Sequence, residues 1–229
     1  MKRFWSDVGV IEDDGGFGVA LDGRPVRTPG KSHLTLPTRA LADALAQEWR
    51  DQDDTVDPAT MPLTRAANSA VDRVAAQFED VLAMLVEYGE TDLLIYRADR
   101  PDALAQRQAD AWDPWIDWAN TALGVRLTPV VGVIPQAQDP GNQTRFRSAL
   151  APQTPLALTG IHDLVTLSGS LVLGLAVARG ALAADEGWTL SRIDETWQAE
   201  QWGRDAEAEE AAERKRAEFL QARKLLDLL

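Results

Sequence analysis

The residue types that could carry nucleophilic chemistry meet at one place, where His162-Asp163 is followed by Ser168 and Ser170. A hydrolase serine on a strand-to-helix elbow sits in Gly-x-Ser-x-Gly, and Ser168-Gly169-Ser170-Leu171 lacks the first glycine. Asp163 therefore reads as a helix cap and His162 as a partly buried, hydrogen-bonded histidine. His33 falls on a short strand with no acid or serine in local register. Pro29-Gly30-Lys31-Ser32 imitates the tail of a phosphate loop, but Pro25 stands where the first glycine belongs. A hairpin turn between strands also has no helix N-terminus to aim at a phosphate. Gly16-Phe17-Gly18 fails as a dinucleotide fingerprint because Leu21 occupies the third glycine position. Acid pairs such as Asp53/Asp54, Asp194/Glu195 and Glu209/Glu210 are neighbours in sequence, and neighbours on a helix point to different faces. They read as solvated charges.

Composition narrows the chemistry further. The absence of cysteine among 229 residues excludes disulfides, thiolate nucleophiles and cysteine-ligated zinc or iron–sulfur sites. Two histidines argue against a multi-histidine metal site and leave only oxygen-ligand sites open. No metal or cofactor is expected. With 23 Lys+Arg against 36 Asp+Glu the formal charge is −13, which offers no basic face to track phosphates and excludes nucleic acid as a partner. A chain that is 45% hydrophobic and 26% charged is an ordinary globular one. The start, Met1-Lys2-Arg3-Phe4-Trp5-Ser6-Asp7, has basic residues but no apolar run, and the acids from Asp7 to Asp14 do not suit an organellar leader. A cytoplasmic protein of a bacterium, or a mature chain, is the expectation.

The elements that would position these residues divide the chain in two. From residue 7 to 36, short β-branched and aromatic runs alternate with turn signals, among them Asp13-Asp14-Gly15-Gly16, Asp22-Gly23 and Pro29-Gly30-Lys31. Asp-Gly favours the type I′ hairpin, so a meander of about four strands is expected. At Thr38, a plausible N-cap, the period changes: Leu41, Leu45 and Trp49 mark one face of a helix ending near Arg50 that covers the sheet. Asp57 to Pro62 breaks regular structure, which places a boundary between a β-rich domain over 1–60 and an α-helical domain over 61–229. In the second part Ala67, Val71, Val74, Phe78, Val81 and Leu85 predict one amphipathic helix over 65–88. A further helix from Pro101 contains Pro114, expected to kink it or to open a new first turn. Leu127 to Ile134 is the only strand-like run there, and an extended loop would read the same. The apolar stretch Leu164–Ala178, about 15 residues between Asp163 and Arg179, is too short to span a bilayer and predicts a buried helix. Its Gly169, Ser170 and Gly174 are small enough to let another helix approach. The tail from Asp185 reads as one long helix or two, with eight acids against the single base Arg204 between Asp194 and Glu213.

Eight tryptophans are many for this length. Trp112 and Trp115 share a helix face and suit core packing, while Trp197 and Trp202 flank the acidic segment and suit an aromatic partner-binding patch.

Separated blocks then combine: Leu21-Asp22-Gly23-Arg24-Pro25-Val26-Arg27-Thr28-Pro29, Leu45-Ala46-Gln47-Glu48-Trp49-Arg50-Asp51-Gln52, Met61-Pro62-Leu63-Thr64-Arg65-Ala66-Ala67-Asn68, Thr91-Asp92-Leu93-Leu94-Ile95-Tyr96-Arg97, Asp113-Pro114, and Asp194-Glu195-Thr196-Trp197-Gln198-Ala199-Glu200-Gln201-Trp202-Gly203. In this order they resemble the family of F1-ATPase assembly chaperones that attend the ATP synthase alpha subunit, over residues 4 to 210. The resemblance implies a non-enzymatic chaperone that holds free alpha until it pairs with beta, and an α+β fold with a small β-rich N-terminal domain and a larger helical C-terminal one. It implies a monomer without membrane insertion, working in the bacterial cytoplasm or, in organellar relatives, the mitochondrial matrix. The acidic residue important in the family falls on Glu195, or alternatively on Glu200. The partner-facing candidates are then Glu195, Glu200, Trp197, Trp202 and Asp205. The same blocks make Trp49, Asp22, Gly23, Pro62 and Asp92 structural. A self-associating scaffold and a small carboxylate-dependent hydrolase are the alternatives that residue types alone leave open.

Overall fold

The structure, a computed structural model, describes residues 2–13 and 15–229; Met1 and Asp14, which belong to the readings of the start and of the first turn, lie outside them. The fold is α+β. Strand β1 (Val8–Asp13) pairs antiparallel with β2 (Gly16–Leu21), and β2 with β3 (Arg24–Pro25), in the order β1-β2-β3. Asp22 (φ 47°) and Gly23 (φ 77°) both take the left-handed conformation that a two-residue type I′ connection demands. The Asp22 carboxylate accepts from the backbone N–H of Ser6 (3.0 Å) and Asp7 (2.8 Å), which tethers the incoming chain to the turn and holds that carboxyl below its usual pKa. Three strands form instead of about four. Beyond Pro25 the pairing shrinks to isolated bridges, Phe17 with Leu36 and Arg27 with His33. Prolines at 25, 29 and 37 deprive the segment of ladder donors.

Helix α1 (Arg39–Arg50) begins as its sequence predicts: the Thr38 hydroxyl accepts from Leu41 N–H at 3.2 Å. Leu41, Ala42, Leu45, Ala46 and Trp49 bury against the sheet with Val19, Leu21, Leu34 and Leu36. Trp49 meets Trp5 edge to face at 5.2 Å. Helix α2 (Pro62–Ser69) carries Pro62 in its first turn, where a missing N–H costs nothing, and the Glu48 carboxylate takes the next two donors, Leu63 and Thr64 N–H, both at 2.8 Å. This capping joins the Glu48-Trp49 and Met61-Pro62 blocks in space.

The helix expected over 65–88 is interrupted. A wide π turn at Ala70–Val74 follows α2, and α3 (Phe78–Tyr88) starts afresh. The interruption lets Asp72 reach Thr28 Oγ (2.6 Å) and Gly30 N–H (2.8 Å), so the phosphate-loop imitation is held by a carboxylate. A Cβ on Gly30 would stand 2.6 Å from Asp72 Oδ1.

Two compact units result, one of residues 1–78, 153–160 and 224–229, the other of 79–152 and 161–223. The first therefore runs past the division expected at residue 60, because Leu63 and Ala67 of α2 join the same core as α1, and Leu225 closes it from the far end of the chain.

The second unit is helical apart from β4 (Tyr96–Arg97) and β5 (Val130–Val131), which pair in parallel. Helix α4 (Asp102–Leu123) runs through Pro114 as one helix, and α5 (Gly141–Leu150) follows β5. The apolar stretch divides into α6 (Pro155–Ser168) and α7 (Leu171–Ala178). Gly169 (φ 72°) turns the chain and Ser170 caps α7, accepting from Leu173 N–H at 3.0 Å. Gly174 alone serves helix approach: a Cβ there would lie 2.6 Å from Val165 Cγ2 and 3.2 Å from Val165 N. The tail forms three helices, α8 (Ala184–Leu190), α9 (Ile193–Trp202) and α10 (Ala206–Asp227). Among the described residues no helix is long and apolar enough to cross a membrane.

Candidate interaction surface

The acidic segment forms an elbow. Trp112, fully buried, donates from its indole N–H to Leu190 O at 2.9 Å and so fixes the end of α8 against α4. Gln108 of α4, also buried, donates to Asp194 Oδ1 at 2.6 Å and accepts from Ala98 N–H at 2.7 Å. One turn of α4 therefore holds the start of α9. Arg107 beside it holds the middle, reaching both Glu200 oxygens (3.0 and 2.9 Å) while stacking over the Trp197 ring at 4.9 Å. Helix α9 stops at Gly203 (φ 95°), and Asp205 restarts the chain by accepting from Glu207 N–H (2.9 Å) and Ala208 N–H (3.2 Å) at the head of α10.

Between α9 and α10 lies a cleft of about 620 Å³. Trp188, Ala199, Ala208 and Ala212 line it with apolar atoms, while Arg192, Glu195, Glu200, Arg204, Asp205 and Glu209 supply charge. Trp202, 79% exposed, stands at its edge. Such an arrangement can seat an apolar group and recognise a cation beside it.

The five partner-facing candidates thus share one elbow but not one condition. Glu195, Glu200, Trp202 and Asp205 line the cleft. Glu195 is paired with Arg192 (2.6 Å) and Glu200 with Arg107. Asp205 is a helix cap, and Trp197 lies under Arg107. Sequence reading missed Arg107 and Gln108, because their partners lie 93 and 86 residues away and nothing local marks the pairing.

The remaining candidates have plain positions. Ser168 Oγ donates to Leu164 O at 2.6 Å and Ser170 Oγ to Asp92 Oδ1 at 2.7 Å; His162 Nδ1 contacts Asp163 at 3.0 Å. His33 Nε2 meets Arg27 at 3.2 Å. Asp92 is fully buried between the turn at Leu93–Ile95 and the N-terminus of α7, accepting also from Leu94 N–H and Val172 N–H (3.0 Å each). Burial pushes its carboxyl up to about 6, outweighing the hydrogen bonds that pull it down. Among the described residues no cluster of three or more His, Cys, Asp or Glu is placed to hold a metal ion.

A family model described as ATP12 chaperone protein matches residues 2–120, just over half of the chain. The chain belongs to the ATP12 chaperone protein family. This is the family of F1-ATPase assembly chaperones that the sequence blocks resemble. The chain is 24% identical over 221 residues to mitochondrial protein atp12 of Schizosaccharomyces pombe, covering 91% of this chain and 76% of that one. Its fold is similar to the crystal structure of Paracoccus denitrificans Atp12, with a TM-score of 0.96 and 53% identity over 99% of this chain and 97% of that one. An aspartate-to-lysine mutant of the same Paracoccus protein matches at 0.96 and 52%, with the same coverage. Atu1473, a candidate chaperone of Agrobacterium tumefaciens, matches at 0.95 and 42%, over 99% of this chain and 85% of that one. ATP12 relatives thus occur in a mitochondrion and in bacteria, and the small sheet with its larger helical part is common ground with the bacterial structures.

Proposed function

We propose that this ATP12-family protein binds the free alpha subunit of F1 during ATP synthase assembly and keeps it from aggregating until beta takes its place. It acts as a monomer and without catalysis, where F1 is put together, in the bacterial cytoplasm or, for organellar relatives, the mitochondrial matrix. The observation that carries this reading is the α9–α10 cleft in a chain of this family: exposed Trp202 beside an apolar floor, ringed by Glu195, Asp205 and Glu209. A holding chaperone needs apolar surface to shield a client and charge to direct and release it. Hydroxyls already engaged at Ser168 and Ser170 speak for the same reading over a hydrolytic one.

The test is co-expression with alpha alone and with alpha plus beta, followed by pull-down and light scattering of alpha. A complex with free alpha that suppresses scattering and dissolves when beta is added is the expected result. A folded protein that neither captures alpha nor protects it overturns the reading, and a stable dimer of the protein by itself would favour a self-associating scaffold.

A further inference from the structure

Twelve residues, Leu127 to Gln138, carry no charged side chain in a chain that is 26% charged. Within them Val131, Val133 and Ile134 are 63%, 88% and 76% exposed, three of the six large apolar side chains left open among the described residues. Water contact for that much aliphatic surface is unfavourable, by about 25 cal/mol per Å².

The loop is nevertheless built to show them. The Gln138 side chain pairs with Thr128 on both sides, Oε1 accepting from the Thr128 N–H (2.8 Å) and Nε2 donating to the Thr128 carbonyl (3.1 Å). Asn142 does the same for Arg126, at 2.8 and 2.7 Å. Pro129 and Pro135 restrict the chain on either side of the apolar tip. Gly132 N–H donates to Arg97 O at 2.9 Å, so the N–H and C=O of Val131, one residue back in a parallel ladder, point away from β4. An open strand edge and three aliphatic side chains are thus held out together on a stapled base.

We infer that this loop is a second contact for the client: it inserts Val131, Val133 and Ile134 into an apolar groove or open strand edge of the free alpha subunit. The inference rests on the function proposed above. Three aliphatic side chains expose on the order of 300 Å². That is well below the roughly 800 Å² per partner of a stable interface, so the loop does not suffice to pair two copies of the chain but can add to a larger contact. Continuity with the elbow supplies the rest. Arg97, the β4 partner of Val131, donates to Gln108 O at 2.7 Å; Gln108 and its neighbour Arg107 are the residues that hold Asp194 and Glu200 of α9. The apolar loop and the charged elbow are therefore mounted on the same turn of α4, as one client would require.

The two contacts differ in how salt affects them. Binding of alpha by wild type and by the double variant Val133→Ser/Ile134→Ser is measured from about 0.05 to about 0.5 M salt, with circular dichroism confirming that both are folded. The expected result is an affinity about tenfold weaker for the variant at every salt concentration, with an unchanged salt slope. Equal affinity of wild type and variant overturns the loop contact and leaves the proposed function standing. Failure of wild type to bind alpha overturns both. A wild-type dimer in light scattering that the double variant loses would assign the loop to self-association instead, which also overturns the inference.

Discussion

Asp92 shows how much a single side chain can tie together. One carboxyl group, fully buried, serves the Leu93–Ile95 turn, the Ser170 hydroxyl and the first turn of α7. Because its native pKa is raised to about 6 from 3.8, the folded protein binds a proton that the unfolded chain has already released between those values. Stability from this group is thus complete below pH 4 and declines as pH rises through 6, by up to about 3 kcal/mol. Asp92→Asn, which cannot ionise, should lack that decline. Urea unfolding of both proteins at several pH values between 4 and 7 checks it: parallel curves would show that Asp92 ionises in the native state as easily as in the unfolded one. The burial of Asp92 was not readable from its block, since the partners Ser170 and Val172 lie 78 and 80 residues away.

Among the elements, those fixed by local chemistry were legible and those fixed by distant partners were not. The Asp22-Gly23 hairpin and the Thr38-capped helix follow from residues within a few positions, and both stand where the sequence puts them. The apolar steps from Ala67 to Leu85 run on without a break, yet the helix breaks, because Asp72 has Thr28 and Gly30 to serve across 44 and 42 residues. The Gly169-Ser170 pair did contain the signal for its break, a glycine turn followed by a cap, which the apolar run around it outweighed. Gly174→Ala should lower stability by about 1–3 kcal/mol, since the new methyl meets the backbone of Val165 as well as its side chain. Thermal melting would show a drop of several degrees, and an unchanged melting temperature would mean that α6 and α7 separate freely. For the elbow, Glu195→Lys places a second cation beside Arg192 on an exposed face, a change the fold should tolerate. If alpha presents a basic residue there, its affinity falls by at least tenfold, and the remaining binding becomes less sensitive to salt. Titration calorimetry at two salt concentrations reads both effects; wild-type affinity in a folded Glu195→Lys protein would remove this residue from the contact.

On the scale of the whole molecule, the last residues of the chain belong with the first. Leu225 is buried in the core formed by β1, β2, α1 and α2, and the Thr38 hydroxyl donates to Leu228 O. Leu225→Ala should therefore cost about 2–5 kcal/mol and act far from its place in the sequence. Hydrogen exchange ought to accelerate in β1, β2 and α1; acceleration confined to α10 would contradict the shared core. Sequence periodicity had no access to this closure, since the apolar residues at the end of α10 match any core equally well.

The same closure sets a schedule for biosynthesis. A ribosome adds about 5–20 residues per second, so after Phe78 has been joined the growing chain waits roughly 7 to 30 s before Leu225 exists. Throughout that interval the N-terminal sheet and α1 are made but lack a piece of their interior. The first unit to be translated is then among the last to be finished.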